Sequence, residues 1–332
     1  MFSARGLAHG SVMIGGIATA ALFRIEGLSV SCSVLTATLL ASCTFSIVLS
    51  RGYTPRHMAM DRAVCCLENF SLLTLATVIG GLATYPLAAV SHGWLDNELL
   101  AGDAALGLNW LTYWDFVQRY PVLYDVLSFS YNSIFFTPTI LVVALATSGK
   151  VDKSYRFIMA FITALFVTDL LLALIPGKSA AEHFLAITDP NLPTPGLMHI
   201  PIIERLRTGS FGPVEVEHLS GLIAFPSFHA AASVLFAWAA WSVQWLRLPG
   251  LILNVLMLAS TPIQGGHYFV DTIAGILVAG LAIMLARCLP STAALRSHDG
   301  TRPVHHVPTM EWLAEETAVP TLEIAAGQAA RS

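Results

Sequence analysis

Two histidines and one aspartate in the last third of this 332-residue chain have the types and spacing of a nucleophile with its supporting groups. His267 and Asp271 are four residues apart in "TPIQGGHYFVDTIAGILVAG". On a helix starting at the Gly265-Gly266 break they would lie one above the other. The carboxylate could then hold one ring nitrogen and leave the second facing outward. His229 follows Pro226 and Ser227 in "IAFPSFHAAASVLFAWAAW". That pair fits a helix start, as first-turn proline and N-cap, and a helix N-terminus is an anion site suited to phosphate. Two imidazoles, one oriented by a carboxylate, beside such an end suit phosphoryl transfer through a covalent phosphohistidine. His267 would attack phosphorus, while His229, with an ordinary pKa of about 6.5, would protonate the leaving oxygen and then activate the acceptor.

The elements that must bring these residues together are membrane helices. Hydrophobic residues make up 55% of the chain, charged residues 11%, and the mean hydropathy is +0.68, which excludes an ordinary soluble domain. A bilayer span needs about 20 largely apolar residues. Uncharged runs of that order occur at 6–23, 27–50, 69–95 and 126–149; a fifth at 157–177 is interrupted by Asp169, and three more follow Gly221. The expectation is an all-α polytopic bundle of about eight spans. The first apolar run is long and feeds directly into others, so it reads as a retained span and not a cleaved signal.

Loop charge sets the orientation. Arg51, Arg56 and Arg62 outnumber Asp61, and Lys150, Lys153 and Arg156 outnumber Asp152, so these loops and both termini are expected in the cytoplasm. The acidic loops 91–122 and 177–225 are then outside. The spans carrying His229 and His267 both start on that outer side, which puts the two rings at one membrane face. Small residues support their approach: Gly275 and Ala279 continue the His267 stripe, and Ala230, Ala231, Ala232 and Ser233 follow His229.

Other residues have plainer readings. Asp169 should face the bundle and pair with polar groups such as Asn132 or Tyr131, since a charge at the bilayer centre costs roughly 2.5 to 3.5 kcal/mol. "GKS" at Gly177 to Ser179 fails as a nucleotide loop, because the glycine required five positions earlier is Leu172. His183, His199 and His218 read as solvated loop histidines; no metal site and no cofactor is indicated. The segment "WLDNELLAGDAALGLNWLTYWDFVQRY" reads as a surface helix at the interface, with Trp94, Trp110, Tyr113 and Trp114 as its aromatic belt. Phe236, Trp238 and Trp241 read as packing or lipid-facing surface. Cys32, Cys43, Cys65, Cys66 and Cys288 leave the outer loops without thiols, so no disulfide framework is expected. A net charge of −4 without a basic aromatic patch argues against nucleic acid.

"FPSFHAA" followed by "GGHYFVDTIAG" resembles the second and third motifs of the type 2 phosphatidic acid phosphatase superfamily, most closely its branch similar to inositol phosphorylceramide synthase (aureobasidin-resistance protein). The resemblance implies a six-helix catalytic membrane core within the bundle, no metal, His267 as nucleophile, Asp271 as its orienting partner, His229 as acid, and Ser227 at the phosphate. Phe228 stands where phosphatases carry glycine, nearer the synthase-like pattern. The arginine expected six residues before the second histidine is Thr261, and the first motif, lysine with Arg-Pro seven residues later, is absent. Phosphoryl transfer relies on cations around the equatorial oxygens, and the available replacements are Lys178, Arg205 and Arg207.

The expected organisation is N-terminal transmembrane helices over 1–62, a catalytic membrane domain over 63–288 and a cytoplasmic, largely disordered tail over 289–332. The expected activity is transfer or hydrolysis of a lipid's phosphate-containing head group at the outer face, through a phosphohistidine. The partners are a lipid phosphate and an alcohol acceptor such as ceramide, diacylglycerol or a polyol. Simple lipid-phosphate or polyprenyl-diphosphate hydrolysis is the first alternative, and a transporter or scaffold with a degenerate site the second.

Overall fold

The computed structural model describes residues 3–54, 57–185 and 196–290; Arg56 and the tail from 291 lie outside them. Three long helices come first, α1 (Ala4–Ile25), α2 (Val34–Gly52) and α3 (Met58–Val90). The short α4 (Asp96–Ala105) and α5 (Trp110–Gln118) lead into α6 (Pro121–Asn132), α7 (Thr137–Thr147) and the long α8 (Val151–Leu174). After α9 (Ala180–Phe184) and α10 (His199–Arg207) the chain ends in α11 (Phe228–Ala240), α12 (Arg247–Gln264) and α13 (Phe269–Cys288). Two-residue strands β1 (Val30–Ser31) and β2 (Val214–Glu215) pair in parallel and tie the α1–α2 turn to the segment before α11.

The fold is an all-α polytopic membrane bundle. Among the described residues six helices are long and apolar enough to cross a bilayer, and α6 with α7, bent by 59° at their junction, makes a seventh. The eighth apolar helix, α11, is shorter than the hydropathy profile implies. The uncharged run after Gly221 is divided among an extended segment, 13 residues of helix and a 3-10 turn at Gln244–Leu246. Lipid exposure is plainest on α2, where Ser50 alone is buried and Val34 and Leu35 are 85% and 70% exposed.

Local chemistry explains the helix starts and the buried hydroxyls. Ser3 and Ser33 cap α1 and α2 by accepting from Gly6 and Thr36 N–H groups, and Pro121 opens α6. Hydroxyls inside spans, such as Ser71, Thr74 and Thr163, donate to the carbonyl four residues back, which satisfies them without water.

The core forms where α8 meets α3, α11 and α13. Phe157 and Phe161 of α8 pack on Phe236 of α11 with centroids 6.1 and 6.4 Å apart, so Phe236 is core, whereas Trp241 is 56% exposed. At the end of the bundle away from the histidines, the Arg5 guanidinium donates twice to Glu68 at 2.8 Å and once to the Ser50 carbonyl. The Tyr155 hydroxyl donates to Glu68 at 2.9 Å, and His9 Nε2 lies 2.7 Å from it. One buried carboxylate thereby joins α1, α2, α3 and α8.

Asp169 does not pair as expected. Its two oxygens are buried with no hydrogen-bond partner among the described residues. Asn132 instead donates to the Ser128 carbonyl, and the Tyr131 ring is occupied by His229.

Candidate active site

The site is built where the starts of α11 and α13 meet. Ser227 is the N-cap of α11: its hydroxyl accepts from Ala230 N–H at 3.4 Å, and its own N–H donates to the Asp271 carbonyl at 3.0 Å. That second bond joins the two motifs directly. Pro226 therefore sits before the cap and not in the first turn, a correction to the sequence reading, and the Ser227 hydroxyl is engaged in capping. Gly275 allows the approach, since a Cβ there would run into the Ser227 carbonyl and come within 2.9 Å of the Ala230 methyl.

His267 and Asp271 meet, though not as neighbours on one helix face. Helix α13 begins at Phe269 with Tyr268 as N-cap, which leaves His267 on the preceding loop. Asp271, at the third helical position, accepts from Tyr268 N–H at 3.0 Å, and the same Oδ2 lies 3.3 Å from His267 Nδ1. The carboxylate thus caps the helix and orients the ring at once. Such a bond assigns the proton to Nδ1 and leaves Nε2 with its lone pair.

His229 stacks face to face on Tyr131, centroids 3.9 Å apart and planes within 7°. It lies near enough to His267 for a charge on one ring to act on the other. Phe228 packs edge-on against Phe161 at 5.4 Å. His229 Nε2, Asp271 Oδ1, Thr272 Oγ1 and Gln264 Nε2 are buried polar atoms without a partner among the described residues. Buried polar groups are ordinarily satisfied, and these four lie on residues within or beside the two motifs.

The glycines before His267 are structural necessities. Gly266 has φ +63°, the left-handed region that favours glycine. A Cβ on Gly265 would lie 2.9 Å from His267 Nε2 and 2.5 Å from Cδ2, so the ring rests on bare backbone. Gly196 packs flat on the Gly265-Gly266 peptide, and Ser179 donates to the Gly266 carbonyl at 2.8 Å.

The acidic segment 94–120 forms two short helices at the surface, each with a buried face that reaches the site. Asp103 accepts from Phe269 and Val270 N–H groups at 2.9 and 2.8 Å, filling the first positions of α13 from 166 residues away. Burial raises its pKa, opposed by those two bonds. Asp96 accepts from Lys178 and Ser179 N–H groups at 3.1 and 3.3 Å and from the Tyr268 hydroxyl at 3.2 Å. Trp110 donates to the Pro262 carbonyl at 2.9 Å and stacks on Trp114 and Phe184. Of the aromatic residues read as a lipid belt, Trp110 and Tyr113 instead turn to α12 and α13, where the Pro262 and Ala259 carbonyls accept from them and the Phe269 ring meets Tyr113.

His199 also departs from the solvated reading. It is 5% exposed, its Nε2 lies 3.3 Å from the Gly177 carbonyl, and burial lowers its pKa to about 4. It stands within electrostatic reach of His267 and holds the turn that supports the Gly266 loop. His218, by contrast, is on the surface beside Glu215.

The three expected cations are engaged elsewhere. Lys178 Nζ pairs with Glu182 at 3.1 Å. Arg207 donates to the Ser91 hydroxyl at 2.8 Å and lies over the Trp94 ring at 4.3 Å. Arg205 lies over the Phe211 ring at 5.1 Å and donates to the Ser210 carbonyl. Among the described residues no group of three or more His, Cys, Asp or Glu is arranged to hold a metal.

A family model described as the PAP2 superfamily matches residues 97–285, more than half of the chain, from α4 to the last turn of α13. The chain belongs to the PAP2 superfamily. No curated protein and no solved structure matches it. PAP2 proteins act on lipid phosphate esters, so this is an integral membrane enzyme of the phosphoric ester class. The PAP2 match includes His229, His267 and Asp271 together with Asp103, and leaves α1 to α3 outside.

Proposed function

We propose that this enzyme moves the phosphoryl-containing group of a lipid phosphate through a phosphohistidine on His267. The observation that carries the reading is the Asp271 carboxylate on His267 Nδ1, in a first helical turn whose Asp271 carbonyl accepts from Ser227 N–H at the start of the helix that bears His229. In the first half reaction the His267 Nε2 lone pair forms the N–P bond. The ester P–O bond breaks towards the leaving oxygen, which takes a proton from His229. In the second half reaction the acceptor loses its proton to His229 as its oxygen bonds phosphorus, and the N–P pair returns to Nε2.

With water as acceptor the enzyme is a lipid phosphatase. An alcohol acceptor, as in the inositol phosphorylceramide synthase-like branch, is the second reading. It is supported by Phe228 and by the burial of His267, 6% exposed, since an enclosed site slows competing hydrolysis. The charge bias of the loops supports a site on the outer face. The test is to incubate purified enzyme with ³²P-labelled lipid phosphates and look for acid-labile phosphate on His267. His267→Ala should abolish both labelling and turnover, and full turnover in that variant would sink the reading. Adding diacylglycerol or ceramide then separates head-group transfer from phosphate release.

A further inference from the structure

With the expected cations bound to other partners, the transferred group still needs donors around its nonbridging oxygens. We infer that Gln264, through its side-chain Nε2, donates a hydrogen bond to a nonbridging oxygen of the phosphoryl group attacked by His267, in the place where a cation would stand. The inference rests on the phosphohistidine reading above.

The placement follows from helix register. Helices α11 and α12 run antiparallel, and Gly250 meets Ala240, where an added Cβ would come 2.6 Å from the alanine methyl. From Gly250 to Gln264 is fourteen residues, close to four turns and about 21 Å, so Gln264 returns to the face that Gly250 turns to α11. Met257, halfway between, is fully buried. Ser227 is thirteen residues back along α11 from Ala240, about 20 Å, so Gln264 stands close to the level of the N-cap of the helix that carries His229.

Chain connectivity gives a second bearing. Gln264 precedes Gly265, the residue on which the Nε2 side of the His267 ring rests. The side chain is 94% buried, and its Nε2 donates to nothing among the described residues. An amide donor enclosed without an acceptor is costly, and His229 Nε2 is likewise buried without a partner among the described residues. A phosphoryl oxygen supplies the acceptor. Neighbouring acids make a neutral donor the fitting choice: Asp103 and Asp271 already fill the first turn of α13, and Gln264 adds no charge that would pair with them.

The test uses the full-length protein in nanodiscs with orthovanadate as probe, because vanadate bonded to a histidine nitrogen adopts the five-coordinate geometry of the transferred phosphoryl group. Wild type, Gln264→Leu and Gln264→Glu are compared for vanadate affinity by thermal shift and for the rate of His267 phosphorylation by labelled phosphatidic acid. Removing one donor to a developing oxyanion costs about 10² to 10³ in rate. Gln264→Leu should lose that much in phosphorylation and at least tenfold in vanadate affinity, with its unliganded melting temperature unchanged or raised. Gln264→Glu adds a signature that a packing role would not produce. Ionised, the carboxylate repels the phosphoryl oxygens; protonated, it donates as the amide did, so its rate relative to wild type should climb as pH falls through the glutamate range.

Vanadate affinity and phosphorylation unchanged in Gln264→Leu would overturn the inference and leave the phosphohistidine intact. A flat Gln264→Glu to wild-type ratio across pH would overturn it as well. Absence of phosphate on His267 in the wild type would overturn the functional reading and this inference together.

Discussion

At the scale of single residues the site depends as much on missing atoms as on present ones. His267 lies against the Cα of Gly265, whose φ of −89° is open to any residue, so the glycine is required by what surrounds it: the ring, and the Thr261 carbonyl 2.9 Å from an added Cβ. Gly265→Ala should therefore push the imidazole off its bearing on Asp271 while removing no reactive group. A 1 Å displacement of a reacting atom costs on the order of 10² in rate, and we expect at least that loss in His267 phosphorylation, with a melting temperature lowered by the contact of the new methyl with the Thr261 carbonyl. Wild-type phosphorylation kinetics in this variant would show that the ring has another seat. His229, His267, Asp271 and Ser227 were legible in the sequence because cap and spacing signals are local. Tyr131, Asp103 and His199 were not, since their partners lie between 22 and 167 residues away and no spacing announces them.

At the scale of elements, α13 starts where it does because two carboxylates converge on it. Asp271 serves from within the helix, and Asp103 reaches over from α4 to the N–H groups of Phe269 and Val270. Carboxylates at a helix N-terminus also complement its dipole. Losing such a cap costs about 0.5 to 2 kcal/mol, so Asp103→Ala should lower stability by that amount, measured by denaturant titration in detergent. The loop that holds His267 would loosen too, and turnover should fall further than the stability loss explains, with Asp103→Asn intermediate. Equal stability and equal turnover in Asp103→Ala would show that α13 needs no second cap. The sequence reading missed this role by treating acids and tryptophans between 94 and 120 as a surface pattern. Hydropathy describes what a helix avoids, and it is silent about which distant backbone groups that helix satisfies.

At the scale of the whole molecule, the bundle is fastened at both ends by unlike devices. Around the histidines the fastening is carboxylate to backbone; at the opposite end it is Glu68, holding Arg5, His9 and Tyr155 from α1 and α8. Breaking a buried ion pair by removing one partner costs about 3 to 5 kcal/mol because it strands the other charge. Arg5 keeps some solvent contact, at 30% side-chain exposure, which places the expected loss for Glu68→Ala towards the lower bound. That loss should appear in thermal melts, and His267 phosphorylation at low temperature should persist. Loss of phosphorylation in a folded Glu68→Ala protein would mean that the two ends communicate. The helical class was readable from hydropathy, and so were most of the spans: among the described residues, six long apolar helices and the bent α6–α7 pair stand against an expected eight. The Glu68 fastening was not, because one acid within a long apolar helix looks the same whether it is paired or bare.

The brevity of α11 has a consequence for its neighbours. Thirteen residues rise about 20 Å, some 10 Å less than a hydrocarbon layer of about 30 Å. No residue of α11 is exposed, so packed helices and not acyl chains surround the short element. The extended stretch before Ser227 stands in for the turns that a full-length span would have had. The His229 imidazole is thereby seated inside the protein, at the second residue of a helix that begins late.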